Sequence, residues 1–377
     1  MKPNNPFLIS GYHSPEFFCD RLQETDSIIN ALSNNRNVTL IAPRRIGKTG
    51  LIKNVFHKLN RENKEIIMFY MDIFPTQNLG DFIRLFANTV LGKLDSAPLA
   101  ALNRVTKFLK SCRPVITIDP ITGAPKISID VDPAMETVTL KEIFEYLNSS
   151  SKRCYIAIDE FQQINSYPER EVEALLRSYI QFATNIGFIF SGSKQHLMNE
   201  MFLSAKRPFY QSTQIISIDC INKSQYYNFA SAFFNKQGRD LKNDVFDYIY
   251  EKFEGYTWYI QVLLNRLFSY PEKIDISMAD KSIKEVVAEF TYTYENLLNA
   301  YPANSIKLLK AIADSNCVKE INSGSFISRY NLKAASSINT SLKKLLDNEL
   351  IYKTPKGYTV YDRFMAIWFK DQIASMG

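Results

Sequence analysis

Histidine is scarce in this chain of 377 residues, with three in all, which argues against a zinc centre or a histidine-based catalytic site. Cysteine is sparse and odd in number. Cys19, Cys112, Cys154, Cys220 and Cys317 fall at no metal-ligand spacing, so they read as reduced structural residues and not as a disulfide framework. No run of about 18 apolar residues occurs, so no membrane-spanning helix is expected. The opening Met1-Lys2-Pro3-Asn4-Asn5 lacks the apolar stretch of a signal peptide, which sets the expectation of a cytoplasmic protein. What remains is an ordinary globular balance, 46% hydrophobic and 22% charged, long enough for two or three domains.

Positive charge is in modest excess, +6 overall, and unevenly spread. From Pro302 onward there are 11 Lys and Arg against 6 Asp and Glu, so five of the six net charges lie in the last fifth. That distribution points to an anionic partner there.

The chain is organised around Thr39-Leu40-Ile41-Ala42-Pro43-Arg44-Arg45-Ile46-Gly47-Lys48-Thr49-Gly50-Leu51-Ile52. It reads as a buried strand, a tight loop and a helix start. The Gly-Lys-Thr stands where a Walker A loop carries its own. A helix N-terminus leaves its first amides unpaired and attracts phosphate. Gly47 lets the backbone wrap closely, Lys48 reaches the β/γ-phosphates of ATP, and the Thr49 hydroxyl ligates Mg²⁺. The usual first glycine of the motif is Ala42, acceptable where φ is negative but not where it is positive.

Cys154-Tyr155-Ile156-Ala157-Ile158-Asp159-Glu160 is the second motif, an apolar strand ending in Asp-Glu as a Walker B strand does. Asp159 is the metal-holding acid and Glu160 the residue that polarises the attacking water. Gly187–Lys194 is a further strand, ending in small polar residues. Ser191 is the first choice for a γ-phosphate sensor and Ser193 the second, against a plain strand-to-helix turn with a serine N-cap. Arg207, in Lys206-Arg207-Pro208, either reaches phosphate in its own or a neighbouring subunit, as in a homo-oligomer, or is a solvated surface charge. The pair Phe17-Phe18 either covers an adenine ring or staples the first helix.

Other stretches supply the frame. Glu65–Asp72 is a buried strand, followed by a helix from about Leu79 to Leu94. Pro114–Asp119 and Lys126–Asp130 alternate as a hairpin around Pro120, Gly123 and Pro125. Helices are expected near 140–147 and 170–183, and a strand over 213–218. From 222 to about 301 aromatic-rich helices take over, with Tyr226, Tyr227, Phe229, Phe233 and Phe234 read as bundle core. The last segment has a winged-helix pattern: helices at 306–313, 325–329 and 335–347, then a hairpin over 350–360 closed by Pro355-Lys356-Gly357. The third helix has Ile338, Leu342, Leu345 and Leu346 as its apolar stripe and Ser336, Ser337, Asn339, Thr340 and Lys343 outward. Such a module reads a DNA groove, packs as an inert lid or binds a protein.

Taken together these stretches resemble the STAND branch of the AAA+ P-loop ATPases, in particular the archaeal-type ATPase group that also occurs in bacteria. The resemblance rests on Asp20-Arg21-x-x-Glu24, Pro43-Arg44-Arg45-x-Gly47-Lys48-Thr49, Ile158-Asp159-Glu160 and Ser191-Gly192-Ser193, together with Gly255-Tyr256-Thr257-Trp258-Tyr259 and Asp362-Arg363-Phe364-x-x-x-Trp368-Phe369. It implies an α/β fold with a parallel sheet in the order 5-1-4-3-2, a helical lid and a C-terminal winged helix. The implied divisions are a core over 1–220 (hairpin insertion about 113–131), a lid over 221–301 and a winged helix over 302–377. It also implies a nucleotide-binding set of Asp20, Arg21, Pro43, Arg44, Arg45, Ile46, Gly47, Lys48, Thr49 and Gly50, with ATP and Mg²⁺ as cofactors. Thr257 departs from the group's Gly-x-Pro, and no sensor arginine is evident in the lid, which favours a slow switch over a motor. The competing reading is a DNA-binding regulator in which Lys343, Lys344 and Lys356 contact the duplex and nucleotide is mostly structural.

Overall fold

Strand β1 (Val38–Ile41) is paired on both sides, with β6 (Ile186–Gly192) and with β7 (Gln214–Ser217), and is buried at all four positions because both of its faces are covered. Strands β2 (Ile66–Asp72) and β5 (Arg153–Asp159) complete a five-stranded parallel sheet in the order β2-β5-β6-β1-β7. Counted from β7 among these five strands alone, that is 5-1-4-3-2. Both faces are covered, so the strands are nearly continuous apolar runs. Helices Leu22–Ser33 and Lys48–Glu62 cover one face, with Ile28, Leu32, Leu51, Ile52 and Val55 in its core. The other face carries helices Leu79–Leu94, Glu136–Asn148, Val172–Ile180 and Gln195–Leu203 over an aromatic layer that includes Phe144, Phe161, Phe188, Phe190, Phe202 and Phe209.

The computed structural model describes residues 2–94, 110–118, 125–271 and 273–376. Strands β3 (Cys112–Ile118) and β4 (Pro125–Val131) form the expected antiparallel hairpin, and Pro125 opens β4. Its expected turn residues Pro120 and Gly123 lie outside the described residues.

The chain divides into two compact units. One is Leu8–Tyr226 with Tyr256–Trp258 and contains the parallel sheet. The other joins Met1–Phe7, Tyr227–Gly255 and Tyr259–Gly377. Within this second unit Phe7 packs among Phe229, Phe233, Phe234 and Phe268. The aromatics of the helix Lys223–Lys236 thus build core, as their spacing suggests. Farther on come helices Ala303–Asp314, Gly324–Arg329 and Ala335–Asp347, and then the hairpin β8 (Ile351–Thr354) and β9 (Gly357–Val360). Ile338, Leu342 and Leu345 are buried and Leu346 half-buried. Gly357 has φ +142°, and a Cβ there would lie 2.5 Å from the Val318 carbonyl, so only glycine closes this turn. Among the described residues no helix is long and apolar enough to cross a membrane.

Candidate active site

The C-terminal ends of β1, β5 and β6 lie side by side, where open parallel sheets hold their ligands. The chain leaves β1 at Ala42, which is fully buried and takes no positive φ, so its methyl fits where the motif usually has glycine. The left-handed positions fall later, at Arg45 (φ 68°) and Gly47 (φ 102°), and Gly47 leads into the helix Lys48–Glu62. Lys48 is buried. Its ammonium donates to the carbonyls of Ala42 and Pro43, each at 2.9 Å, which satisfies a charge that burial would otherwise penalise.

The loop is braced from outside through its carbonyls. Trp258 N–H donates to Arg45 O at 3.0 Å, and the Thr257 hydroxyl donates to Ile46 O at 3.2 Å. The Arg45 guanidinium lies 4.2 Å from the centre of the Trp258 ring. Arg21 also reaches Ile46 O, at 3.4 Å, and pairs with Glu24 at 2.8 Å. Asp20 and Arg21 both have left-handed backbones, and Arg21 is buried. Within Asp20-Arg21-x-x-Glu24 it is therefore the Arg21 guanidinium, oriented by Glu24, that acts on the loop, at the Ile46 carbonyl. With these carbonyls held outward, the helix N-terminal amides are the groups left to face an anion.

Asp159, at the end of β5, is 4% exposed and accepts three hydrogen bonds. Thr49 Oγ1 donates to Oδ2 at 2.7 Å, Tyr70 OH donates to Oδ2 at 2.8 Å, and Glu160 N–H donates to Oδ1 at 3.1 Å. Burial and the nearby carboxylate push the Tyr70 phenol up, so it is a standing donor. Glu160 has a left-handed backbone (φ 54°), and its Oε2 accepts from Ser193 Oγ at 2.7 Å and from Gln162 Nε2 at 2.5 Å. Arg44 Nε in turn donates to Ser193 Oγ at 3.1 Å. The loop, the acidic pair and the end of β6 thus form one connected polar group.

Not every expected residue joins it. Ser193, and not the first-choice Ser191, touches Glu160; Ser191 is fully buried in β6 and its hydroxyl has no hydrogen-bond partner. Arg207 lies outside the group. Its guanidinium is held by Glu173 at 2.5 Å, by Glu200 at 3.4 Å and by Asn165, so it is neither a solvated surface charge nor part of this polar group. Phe18 rests against Gly50, where a Cβ would come within 3.0 Å of its ring, so it packs on the first turn of the loop's helix. Tyr70 and Gln162 carried no signal in the sequence beyond a polar tip in apolar surroundings. Among the described residues no cluster of three or more His, Cys, Asp or Glu is arranged for a metal. An ion here would draw on a hydroxyl, one carboxylate and the oxygens of its own ligand or water, the donor set of Mg²⁺.

Residues 18–263 match the family described as an ATPase domain predominantly from Archaea, and residues 292–371 match a probable winged helix domain. A search of curated proteins returned no match. Among solved structures, a Walker-type ATPase of Pyrococcus abyssi is similar with TM-score 0.67 at 17% identity, covering 97% of this chain and 99% of that one. The ORC2 protein of Aeropyrum pernix in ADPNP–ADP complexes gives TM-score 0.54 at 18% identity, over 100% and 99% of the two chains. The ORC1 protein of Aeropyrum pernix in complex with DNA gives 0.54 at 11% identity, over 99% and 98%. At these identities the likeness establishes the fold, an α/β P-loop ATPase with a C-terminal winged helix. Since the family match takes in the loop, Asp159, Glu160 and Ser193 and spans well over half of the sequence, the chain belongs to the ATPase-domain family found predominantly in Archaea.

Proposed function

We propose that the chain binds ATP with Mg²⁺ at the loop Ala42–Thr49 and hydrolyses it slowly, as a switch of the STAND kind whose nucleotide state sets a domain arrangement that a partner reads. The observation that carries this reading is the 2.7 Å hydrogen bond from Thr49 to Asp159, which joins two hard oxygen donors at the point where β1 meets its helix. Thr49 and Asp159 would hold the metal, which when bound neutralises charge in phosphoryl transfer. Lys48 supplies the ammonium for the β/γ-phosphates, and Gly47 with Gly50 admits close backbone approach. Pro43, Arg44, Arg45 and Ile46 shape the loop, Arg21 braces it at the Ile46 carbonyl, and Asp20 supplies the left-handed turn that precedes Arg21. Glu160 orients and deprotonates water, and Ser193 takes the sensor role in place of Ser191. Slow turnover is favoured because Glu160 Oε2 is already engaged by Gln162 Nε2, Ser193 Oγ and the Ser193 amide, which leaves Oε1 as the oxygen open to water.

Lys48→Ala should lose binding of a fluorescent ATP analogue. Glu160→Gln should bind it like the parent while phosphate release falls by about 10²–10⁴-fold. Phosphate release at the parental rate in both variants would remove these assignments. A second reading, a DNA-binding regulator with structural nucleotide, is favoured by the basic C-terminal fifth and by the DNA complex of the similar ORC1 protein.

A further inference from the structure

Strand β2 lies beside β5 in parallel register, with Tyr70 opposite Ala157 and Asp72 opposite Asp159. Alternation along each strand puts Tyr70, Ala157 and Asp159 on one face, the face covered by the helix Lys48–Glu62. Ala157 belongs to the core there and Tyr70 packs against it. A small residue opposite the tyrosine leaves its ring room to lean along the neighbouring strand. A diagonal neighbour is within reach of a long aromatic side chain, and the hydroxyl arrives 2.8 Å from Asp159 Oδ2. Lys53, from the same helix, places its ammonium 5.4 Å from the ring centre, so the ring is contacted from strand and helix alike. Phenylalanine would fill the same space, so packing alone does not call for the hydroxyl.

We propose that Tyr70 is a positioning residue of the site, fixing the carboxylate of Asp159 with Oδ2 toward Thr49 and thereby strengthening divalent-cation binding. The inference rests on the reading of Thr49 and Asp159 as the metal-holding pair. Asp159 has three donors in fixed directions: Thr49 and Tyr70 on one oxygen, the Glu160 amide on the other. Removing the phenol frees the carboxylate to rotate toward the Glu160 amide. It also removes the one side-chain donor that does not itself serve as a ligand. Partners behind a metal's direct ligands commonly change its affinity by 10–100-fold.

The test is Mn²⁺ uptake by the full chain with ADP, followed by loss of the free-ion EPR signal. Tyr70→Phe and Tyr70→Leu both delete the hydroxyl, and they change packing differently. Both are expected to bind Mn²⁺ about tenfold more weakly than the parent, while ADP affinity without metal stays within about twofold. A parent that binds Mn²⁺ and a Tyr70→Phe that binds it equally overturns the inference and leaves the metal reading standing. Loss in Tyr70→Leu alone assigns the effect to packing and also overturns it. A parent that takes up no Mn²⁺ with ADP overturns the metal reading, and the inference falls with it.

Discussion

Asp72 and Asp159 stand directly opposite each other across β2 and β5, an arrangement that costs energy when both are charged. Partial desolvation and the charges of Asp159 and Glu160 raise the carboxyl of Asp72, only partly offset by the hydrogen bond it accepts from the Phe74 amide at 2.9 Å. A carboxyl raised in the folded state binds more protons there than in the unfolded chain, so stability falls as pH rises through that interval. The penalty is full above the raised value and absent below the ordinary value of 3.8. Asp72→Asn keeps the acceptor for Phe74 and should raise the melting temperature near pH 7, with the advantage shrinking toward about pH 4. Melts at several pH values check this, and a pH-independent difference would show that the facing charges are not the cause. The places of Lys48, Thr49, Asp159 and Glu160 in the fold were legible in the sequence because each sits at a strand or helix end that the apolar pattern marks. Tyr70 and Gln162 were not, since their contacts with Asp159 and Glu160 come from cross-strand and turn geometry that spacing along one segment does not encode. Arg207 shows the reverse: an arginine in a suggestive place is engaged by Glu173, a residue more than 30 positions earlier that no local pattern links to it.

At the scale of elements, the stretch Tyr256–Trp258 changes the meaning of a departure from the family pattern. Thr257 stands where the resembled group has proline and opens the helix Thr257–Ser269. Proline suits that first helical position but has no hydroxyl. Thr257 uses its hydroxyl on Ile46 O, and the next amide is used on Arg45 O. A hydrogen bond of this kind is worth about 0.5–1.5 kcal/mol. If it holds the loop in binding geometry, Thr257→Ala should weaken a fluorescent nucleotide by roughly two- to tenfold. An unchanged affinity would make the contact incidental to the loop. The strands were readable because sheet burial on both faces leaves apolar runs that turns interrupt. Helix Arg363–Met376 was not among the expected elements, and Gln195–Leu203 was expected only as the helix of a strand-to-helix turn, whose serine cap is absent: its N-cap is Lys194. Gln195–Leu203 is nine residues long and owes its place to Met198, Met201 and Phe202 entering the aromatic core, a tertiary effect.

For the whole molecule, the exposure of the lysines in the basic C-terminal fifth bounds what that region can bind. On the helix Ala335–Asp347, Ser336, Asn339, Thr340 and Lys343 are exposed, and Lys356 is exposed in the turn between β8 and β9. Lys344 is exposed too, but its ammonium lies 5.2 Å from the Tyr301 ring centre, so replacing it disturbs packing as well as charge. Lys343 and Lys356 are therefore the cleaner probes. Each phosphate neutralised on duplex DNA contributes about −0.9 to the slope of log K against log salt. If both lysines contact phosphate, Lys343→Glu with Lys356→Glu should make that slope shallower by roughly two. Phosphate release should stay at the parental rate, because neither residue belongs to the ATP site. A titration with random-sequence duplex at low salt, with ATP and with ADP, checks both. An unchanged slope removes this face as the contact, and an absence of duplex binding removes the DNA-binding reading. If ATP and ADP give the same duplex affinity, DNA is not the partner of the proposed switch. A tenfold difference between them would correspond to about 1.4 kcal/mol of coupling, within the usual range for linked sites.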